Sequence, residues 1–216
     1  MTSGPAIGRA AYAASVGHAR RATAGELDEL EQLARSDPDG RVRAVALGAL
    51  ARCAARRTTA TTWRIAARDR DPNVRRRAAE LAPLLGAAIP AQALLSLLAD
   101  AAPLVAEAAA FALGERVRLG PRALGALGLA ATTHTDPLVR EAAVAALGAL
   151  GDPSALPSVL SACDDKAAVR RRAVLALAAF DGEQVEARLR LALTDRDWQV
   201  RQAAEDLVAH TSNRQA

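Results

Sequence analysis

The sequence predicts an all-α protein, a right-handed α-solenoid in which about six helical hairpins stack side by side. The main observation is an internal repeat: residues 136–148, which read DPLVREAAVAALG, have five further copies along the chain. When the copies are aligned on their valine, the spacings are 32, 31, 34, 30 and 31 residues. The aligned valines are Val42, Val74, Val105, Val139, Val169 and Val200.

The composition favours helices over a sheet. Hydrophobic residues make up 51% of the 216 residues and aromatic residues only 2%, so the core is aliphatic, mostly alanine and leucine. These residues suit closely packed helices, whereas a β-sandwich needs β-branched and aromatic residues. No uncharged apolar stretch of 18 residues occurs, and the first 25 residues lack a signal-peptide pattern. We therefore expect no membrane partner and a cytoplasmic location.

Three segments are predicted along the chain. Residues 1–24 form either a partly ordered basic leader or, around residues 9–21, a helix that caps the first repeat. Residues 25–210 form a single solenoid, and residues 211–216 form a C-terminal tail.

Most of the net charge of +4 lies in the leader, which contains three arginines and no acidic residue, so residues 26–216 carry only +1. A nearly neutral body argues against a track for DNA or RNA.

Each repeat contains two helices, A and B. Helix A has apolar residues at helical spacing, such as Leu27, Leu30 and Leu33, and Trp63 on the second A helix is interpreted as a packing residue. Prolines stand where a helix start tolerates them, and glycines stand where a left-handed C-cap is needed. The prolines are Pro90, Pro121 and Pro153, and the glycines are Gly86, Gly114, Gly151 and Gly182.

Helix B begins at the aligned valine. If the valine and the residues four, five, seven and eight places later pack inward, the residues two, three and six places later project from the concave face. We call this surface the B face, and we include in it the one or two residues before each valine.

The pattern D-P-x-V-R-x-x-A-x-x-A-L-G resembles the short HEAT-like repeat of about 30 residues, the type found in phycobilin-lyase-related proteins. The resemblance covers roughly residues 25–208 and rests on six copies of the pattern. It implies an armadillo-like helical-repeat fold used mainly as a binding scaffold, and it implies little about activity.

Recurring charges surround the valine. The resemblance implies that the arginine after the valine and an inter-helix aspartate form a ladder of charge-assisted hydrogen bonds between repeats, instead of a row of cations for phosphate. A carboxylate just before helix B also caps that helix. Ala106 replaces the arginine in the third repeat, so we expect a gap there. The arginines are Arg43, Arg75, Arg140, Arg170 and Arg201, and the acids are Asp37, Asp71, Asp100, Asp136, Asp164, Asp165, Asp195 and Asp197.

The B face is predicted to be mixed in character. Basic pairs in the second and fifth repeats flank a middle with apolar and acidic side chains, which suits a protein or peptide partner better than a phosphate backbone. The other interpretation is a solvated face with scattered charge. The face also includes the small residues Gly48 and Ala203. The candidate binding residues are Arg76, Arg77, Leu104, Glu107, Phe111, Leu138, Glu141, Arg171, Arg172, Trp198 and Gln202.

No catalytic or metal-binding pattern stands out. His18, His134 and His210 are scattered, and none is followed by the glutamate found in the His-Glu pairs of HEAT-like iron oxygenases. Cys53 and Cys163 are interpreted as reduced core residues. We expect no cofactor and no enzymatic activity, since resemblance in fold alone does not imply phycobilin lyase activity.

The prediction is a non-enzymatic scaffold or adaptor that holds a protein or peptide on the B face. The alternative is nucleic-acid binding, as in HEAT-like DNA glycosylases, which use a basic concave face, aromatic side chains and an acid near the lesion. The nearly neutral body and the scarcity of aromatic residues argue against it. In that alternative the basic and aromatic roles fall to Arg76, Arg77, Arg171, Arg172 and Trp198, and the acid is Glu107 or Glu141.

Overall fold

The computed structural model describes the backbone of residues 3–19 and 22–215, and the side chains of 6–16, 22–55 and 59–209. In this part of the chain thirteen α-helices follow one another and no strand occurs, which confirms the all-α helical-repeat class. The chain divides into two compact units, Met1–Ala112 and Leu113–Ala216. Arg20 and Arg21, which supply much of the predicted leader's charge, lie outside the described residues.

The first unit is built around helix α3, which packs against α1, α2, α4 and α5. A 3₁₀ turn, Gly86–Ala88, separates α5 from α6. The helices are α1 (Ser3–Ala19), α2 (Ala24–Ser36), α3 (Gly40–Cys53), α4 (Arg56–Ala66), α5 (Pro72–Leu85), α6 (Ala91–Leu98) and α7 (Pro103–Gly114), the last two residues of which belong to the second unit.

The second unit repeats the same arrangement. Helix α9 packs against α8, α10 and α11, and α11 packs against α13, so each B helix contacts its own A helix and the next B helix. Two further 3₁₀ turns are Pro153–Ala155 and Leu177–Ala179. The helices are α8 (Pro121–Thr133), α9 (Pro137–Leu150), α10 (Leu156–Ala162), α11 (Ala167–Ala176), α12 (Glu183–Ala192) and α13 (Trp198–Gln215).

Carboxylates cap four of the B helices, as predicted. In each case the side chain accepts a hydrogen bond of 2.8–2.9 Å from the backbone N–H two residues later, which satisfies a donor that the helix itself leaves free. The capping residues are Asp71, Asp136 and Asp197, which belong to the predicted set, and Asp39, which does not.

The glycine predictions are correct in part. Gly151 ends α9 in the left-handed conformation, with φ 58° and ψ 23°. Gly86 also has a positive φ after α5, whereas Gly182, with φ 110°, precedes α12 instead of ending α11. The prediction for Gly114 is wrong, because Gly114 is the last residue of α7 and does not have a positive φ. A Cβ at Gly114 would lie 2.8 Å from Cα of Ala146 on α9, so the glycine permits a close approach of the two backbones.

The inward positions of the first five B helices are buried as predicted. The residues four, five, seven and eight places after each valine are all buried there, for example Ala143, Val144, Ala146 and Leu147 on α9. In the sixth repeat Ala204 is buried but Glu205 and Val208 are exposed. The last helix therefore exposes part of the face that the other B helices bury.

The prediction of a buried Trp63 is confirmed, whereas the prediction of two core cysteines is confirmed only for Cys163. Trp63 is 1% exposed, and its indole N–H donates to the carbonyl of Ala78 over 2.6 Å, which links α4 to α5. Cys163 is buried, whereas Cys53 is half-buried and its thiol donates to the carbonyl of Val16. Burial raises the pKa of the Cys163 thiol above its usual value.

Candidate protein-binding surface

Every candidate residue on the B face is accessible to solvent. Leu104 and Phe111 in the first unit are 48% and 60% exposed, and Leu138 and Trp198 in the second are 50% and 64% exposed. Large apolar side chains with such exposure are candidates for contacts with a partner. Leu175 on α11 also belongs to this surface and is 37% exposed. The other candidates are exposed or half-buried: Arg76, Arg77, Glu107, Glu141, Arg171, Arg172 and Gln202.

Two of the small residues assigned to the B face are buried, which corrects the prediction. Gly48 lies under the side chain of Arg77, since a Cβ at Gly48 would be 2.7 Å from its Nη2. Ala203 packs against Val174 and Val200 in the core of the last repeats. Helical position alone does not reveal that a neighbour's side chain covers a residue.

The basic pair of the second repeat is offset by an acid on the same helix. Arg76 donates to Glu80 Oε1 over 2.8 Å, and Arg77 donates to Glu80 Oε2 over 3.1 Å. Glu80 therefore neutralises one of the two guanidinium charges and leaves the other for a partner.

The basic pair of the fifth repeat is offset more weakly. Arg172 donates to Glu141 Oε1 from its Nε over 3.4 Å and from its Nη2 over 3.2 Å, and both side chains are partly exposed. These distances are at or beyond the long end of the usual range for a hydrogen bond from N–H to oxygen. Arg171, on the same helix, is exposed.

A cleft of about 300 Å³ lies on the B face between α9 and α11. It exists because the two helices touch: a Cβ at Gly148 would lie 2.7 Å from Cβ of Ala176. The small residues around this contact leave a shallow space above it. The lining residues are Ala145, Gly148, Ala149, Arg172, Leu175, Ala176, Ala178 and Ala179.

The predicted ladder of arginines and aspartates is present within both units. Each arginine donates from Nε and Nη2 to both carboxylate oxygens over 2.6–2.9 Å. Its Nη1 also donates to a backbone carbonyl over 2.7–2.9 Å. Because a carboxylate and a backbone carbonyl already use these guanidinium groups, the arginines are not available to bind phosphate. The pairs are Arg43–Asp69, Arg75–Asp100, Arg140–Asp165 and Arg170–Asp195.

Different aspartates pair with the ladder arginines and cap the B helices, whereas the sequence predicted a single set for both. Asp69 accepts the ladder bond from Arg43, whereas Asp71, two residues later, only caps α5. Asp136 likewise caps α9 and takes no ladder bond. Asp69 was missed, although an aspartate five places before the valine recurs at Asp37, Asp100 and Asp195 and is the signal that identifies it.

A further member of the ladder lies in the leader. Arg9 of α1 donates to Asp37 over 2.5 Å and 3.1 Å, as the repeat arginines do to their own partners. The residues four and seven places after Arg9, Ala13 and Val16, are buried, like Leu47 and Leu50 after Arg43. Helix α1 therefore follows the B-helix pattern with Gly8 in place of the valine, a copy that the valine alignment does not detect.

The predicted gap also affects the acceptor position. Ala106 stands where other repeats have the arginine, and it is fully buried. His134 stands where the following repeat would have the aspartate. Its Nδ1 accepts from the N–H of Asp136 over 3.1 Å, just as the carboxylates of Asp69 and Asp195 accept from the backbone N–H two residues later. Both residues of one ladder pair are thus replaced in the sequence.

Hydrogen bonding sets the charge state of the ladder. The arginine partners hold the pKa of Asp100, Asp165 and Asp195 below its usual value. Burial alone would raise the pKa of Asp69, but the hydrogen bonds from Arg43 and from the N–H of Asp71 outweigh it and lower that pKa.

A second cleft, of about 420 Å³, lies in the second unit among α10, α11, α12 and α13. Arg188 lines this cleft and donates to the carbonyl of Cys163 and, over 2.5 Å, to Asp164 Oδ1.

In the residues that the structure describes, no group of three His, Cys, Asp or Glu side chains is placed to hold a metal ion. Among the same residues, no helix is long and apolar enough to span a membrane.

The stacked hairpins, the buried valine pattern and the ladder define a helical-repeat protein. The family model described as HEAT repeats matches residues 27–114 and 91–168, more than half of the chain. The chain therefore belongs to the HEAT-repeat family. No curated protein matches it.

Solved structures show the same fold. The crystal structure of YibA from E. coli is 23% identical with a TM-score of 0.65, covering 86% of this chain and 68% of that one. The complex of CpcE and CpcF of phycocyanin lyase from Nostoc is 23% identical with a TM-score of 0.56, covering 69% and 98%. A designed armadillo repeat protein in complex with the peptide (KR)4 is 17% identical with a TM-score of 0.55, covering 86% and 91%. At these identities the likeness concerns the fold alone.

Proposed function

We propose that this protein is a non-enzymatic scaffold or adaptor that holds a protein or peptide on the B face. The observation that carries the proposal is the exposure of Phe111 and Trp198, 60% and 64%, on a surface whose neighbouring positions are mostly small or charged. The chain has only five aromatic residues, so one of them in solvent at a B-face position of each unit is a strong departure from a solvated surface. We place this function in the cytoplasm.

The fold of the relatives supports a binding role. The designed armadillo repeat protein holds a peptide, and CpcE and CpcF form a complex with each other. A surface of stacked helices binds a partner with a few side chains in a preformed groove, without catalytic groups.

Nucleic-acid binding is less well supported by the charges on the B face. The ladder arginines are held by aspartates, and Arg76 and Arg77 share the single acid Glu80. A phosphate backbone would have to displace these acids, at a cost in affinity.

The test is capture of a partner from a nuclease-treated lysate of the source cells. A Leu138→Ser, Trp198→Ser variant removes two exposed apolar side chains of the B face. A matched control, Leu129→Ser with Leu191→Ser, removes apolar side chains that are 63% and 62% exposed on A helices. We expect the unaltered protein and the control to retain the same partner and the B-face variant to lose it, with all three equally helical by circular dichroism.

Equal retention by all three proteins would show that the B face is not the binding surface. Recovery of nucleic acid before nuclease treatment, with no protein after it, would favour the alternative function. Salt separates the two as well, because binding to phosphate weakens steeply with salt whereas apolar contacts respond mildly.

A further inference from the structure

We infer that the cleft between α9 and α11 is a specificity pocket that takes one branched aliphatic side chain of a peptide with a carboxylate beside it. The inference rests on the proposed binding function and names the chemistry of the segment that this part of the B face recognises.

The floor of the cleft presents mainly small apolar groups to an occupant. It is formed by methyl groups and helix backbone at Ala145, Gly148 and Ala176, where the two helices are in contact. The backbone amides of Ala145, Gly148 and Ala176 donate within their own helices, so the floor offers from them no further hydrogen bond to an occupant. An acceptor group buried against these residues would therefore lose its hydrogen bond to water, at a cost in free energy.

The size of the cleft limits the occupant. A volume of about 300 Å³ is at the lower end of ligand pockets, which suits a single side chain better than a folded domain or a cofactor. Leu175, 37% exposed, lines the cleft and gains contacts when an aliphatic group fills it.

The rim supplies the charge selection. Arg172 is the charged residue that lines the cleft, and its hydrogen bonds to Glu141 are long, 3.2 Å and 3.4 Å. Its side chain remains 42% exposed, so a partner carboxylate has access to the guanidinium. Arg171 adds a second positive charge on the same helix against the single acid Glu141. The rim therefore favours an acidic residue next to the apolar one.

The experiment is selection of binders from a random peptide display library on the whole protein, followed by affinity measurement for the most enriched peptide. We expect enrichment of Leu, Ile or Val with Asp or Glu within a few residues. Ala145→Leu, which fills the cleft with the protein's own side chain, should weaken binding of that peptide roughly tenfold or more.

Two further variants test the rim with opposite expected signs. Arg172→Gln should weaken binding of the selected peptide by about fivefold and abolish the preference for acids. Glu141→Gln, which releases Arg172 from its internal partner, should strengthen binding of the same peptide. A purely structural role for the Arg172–Glu141 pair would make the two variants change affinity in the same direction.

The outcomes separate this inference from the proposed function. If enriched peptides lose affinity in the Leu138→Ser, Trp198→Ser variant but bind Ala145→Leu unchanged, the B face binds peptides and the cleft is not the pocket. Enrichment of basic or uncharged polar sequences overturns the inference in the same way. If no sequence is enriched, the specificity pocket and the peptide-binding function are both contradicted.

Discussion

Single ion pairs stabilise the repeats because their partners are buried and fully hydrogen-bonded. The side chains of Arg43 and Asp69 are only 5% and 10% exposed, and two N–H groups of the guanidinium meet both carboxylate oxygens. The pair of Arg76 and Glu80, in contrast, is 46% and 32% exposed. Solvent screens the second pair, so similar contacts differ in their effect on stability.

Replacing Arg43 should strongly destabilise the first unit. Arg43→Ala removes both guanidinium donors of the Asp69 carboxylate and the donor to the carbonyl of Asp37, and we expect a loss of about 3–5 kcal/mol in the free energy of unfolding. Urea denaturation measures the loss. Arg76→Ala is the matched control, with an expected change within about 0.5 kcal/mol. Equal losses for the two variants would contradict a structural role for the ladder.

The ladder also predicts how stability depends on pH. The folded state holds the pKa of Asp69, Asp100, Asp165 and Asp195 below the value of about 3.9 in an unfolded chain. Because the unfolded state then binds more protons, the stabilisation is fully present above about pH 5 and is lost as the pH falls through the folded pKa values.

The pH effect can be assigned to one pair with the Arg43→Ala variant. Without Arg43, burial favours the protonated form of Asp69, so protonation relieves the variant while it destabilises the unaltered protein. We expect the difference in free energy of unfolding between the two to be smaller at pH 3 than at pH 7. A difference that is constant over this range would show that Asp69 does not titrate as proposed.

Pairs of B helices are held by close backbone contacts that depend on single glycines. The glycine that ends the A-L-G pattern meets the alanine seven places after the next valine: Gly114 meets Ala146, and Gly148 meets Ala176. This contact, and not a C-cap, explains the glycine of the pattern in these two repeats. It also forms the floor of the cleft between α9 and α11.

Adding a methyl group at one contact should separate the helices. In Gly148→Ala the new Cβ would lie 2.7 Å from Cβ and 2.9 Å from Cα of Ala176, and backbone cannot give way cheaply. We expect a loss of about 1–3 kcal/mol by thermal or urea unfolding. Gly125→Ala on α8, where nothing lies within 4 Å, should instead be neutral or stabilise by up to about 1 kcal/mol. Comparable losses at both sites would contradict the packing role of Gly148.

At the scale of the whole molecule, the distribution of charge decides which macromolecules can bind. The net charge of +4 falls to +1 once the first 25 residues are set aside. Several arginines in the described part of the chain are also paired with an aspartate or a glutamate. Long-range attraction of a polyanion is therefore weak.

We accordingly expect poor binding of DNA. A fluorescent 20-base-pair duplex should bind with a dissociation constant weaker than about 10 µM at 150 mM salt, measured by fluorescence anisotropy. An Arg171→Ala, Arg172→Ala variant should leave this weak affinity unchanged. Tight binding that the variant abolishes would contradict the adaptor function and favour the nucleic-acid alternative.

The sequence by itself determined the repeat, the alternation of A and B helices and the buried positions of the first five B helices. These follow from local periodicity: the valine and the residues four, five, seven and eight places later share one helix face, whatever packs against it. For the same reason the exposed candidates, including Phe111, Leu138 and Trp198, could be predicted from their positions on the helix.

Only the tertiary structure decided what lies opposite each residue. Arg43 bonds Asp69, which is 26 residues later in the chain, and Arg9 on α1 bonds Asp37 in the same way. Gly148 lies against Ala176 of the next B helix. The cleft on the B face exists because α9 and α11 approach so closely that a Cβ at Gly148 would clash with Ala176. Such partners depend on the distance and rotation between successive repeats, which are set by side-chain packing and are not encoded in the period of any single helix.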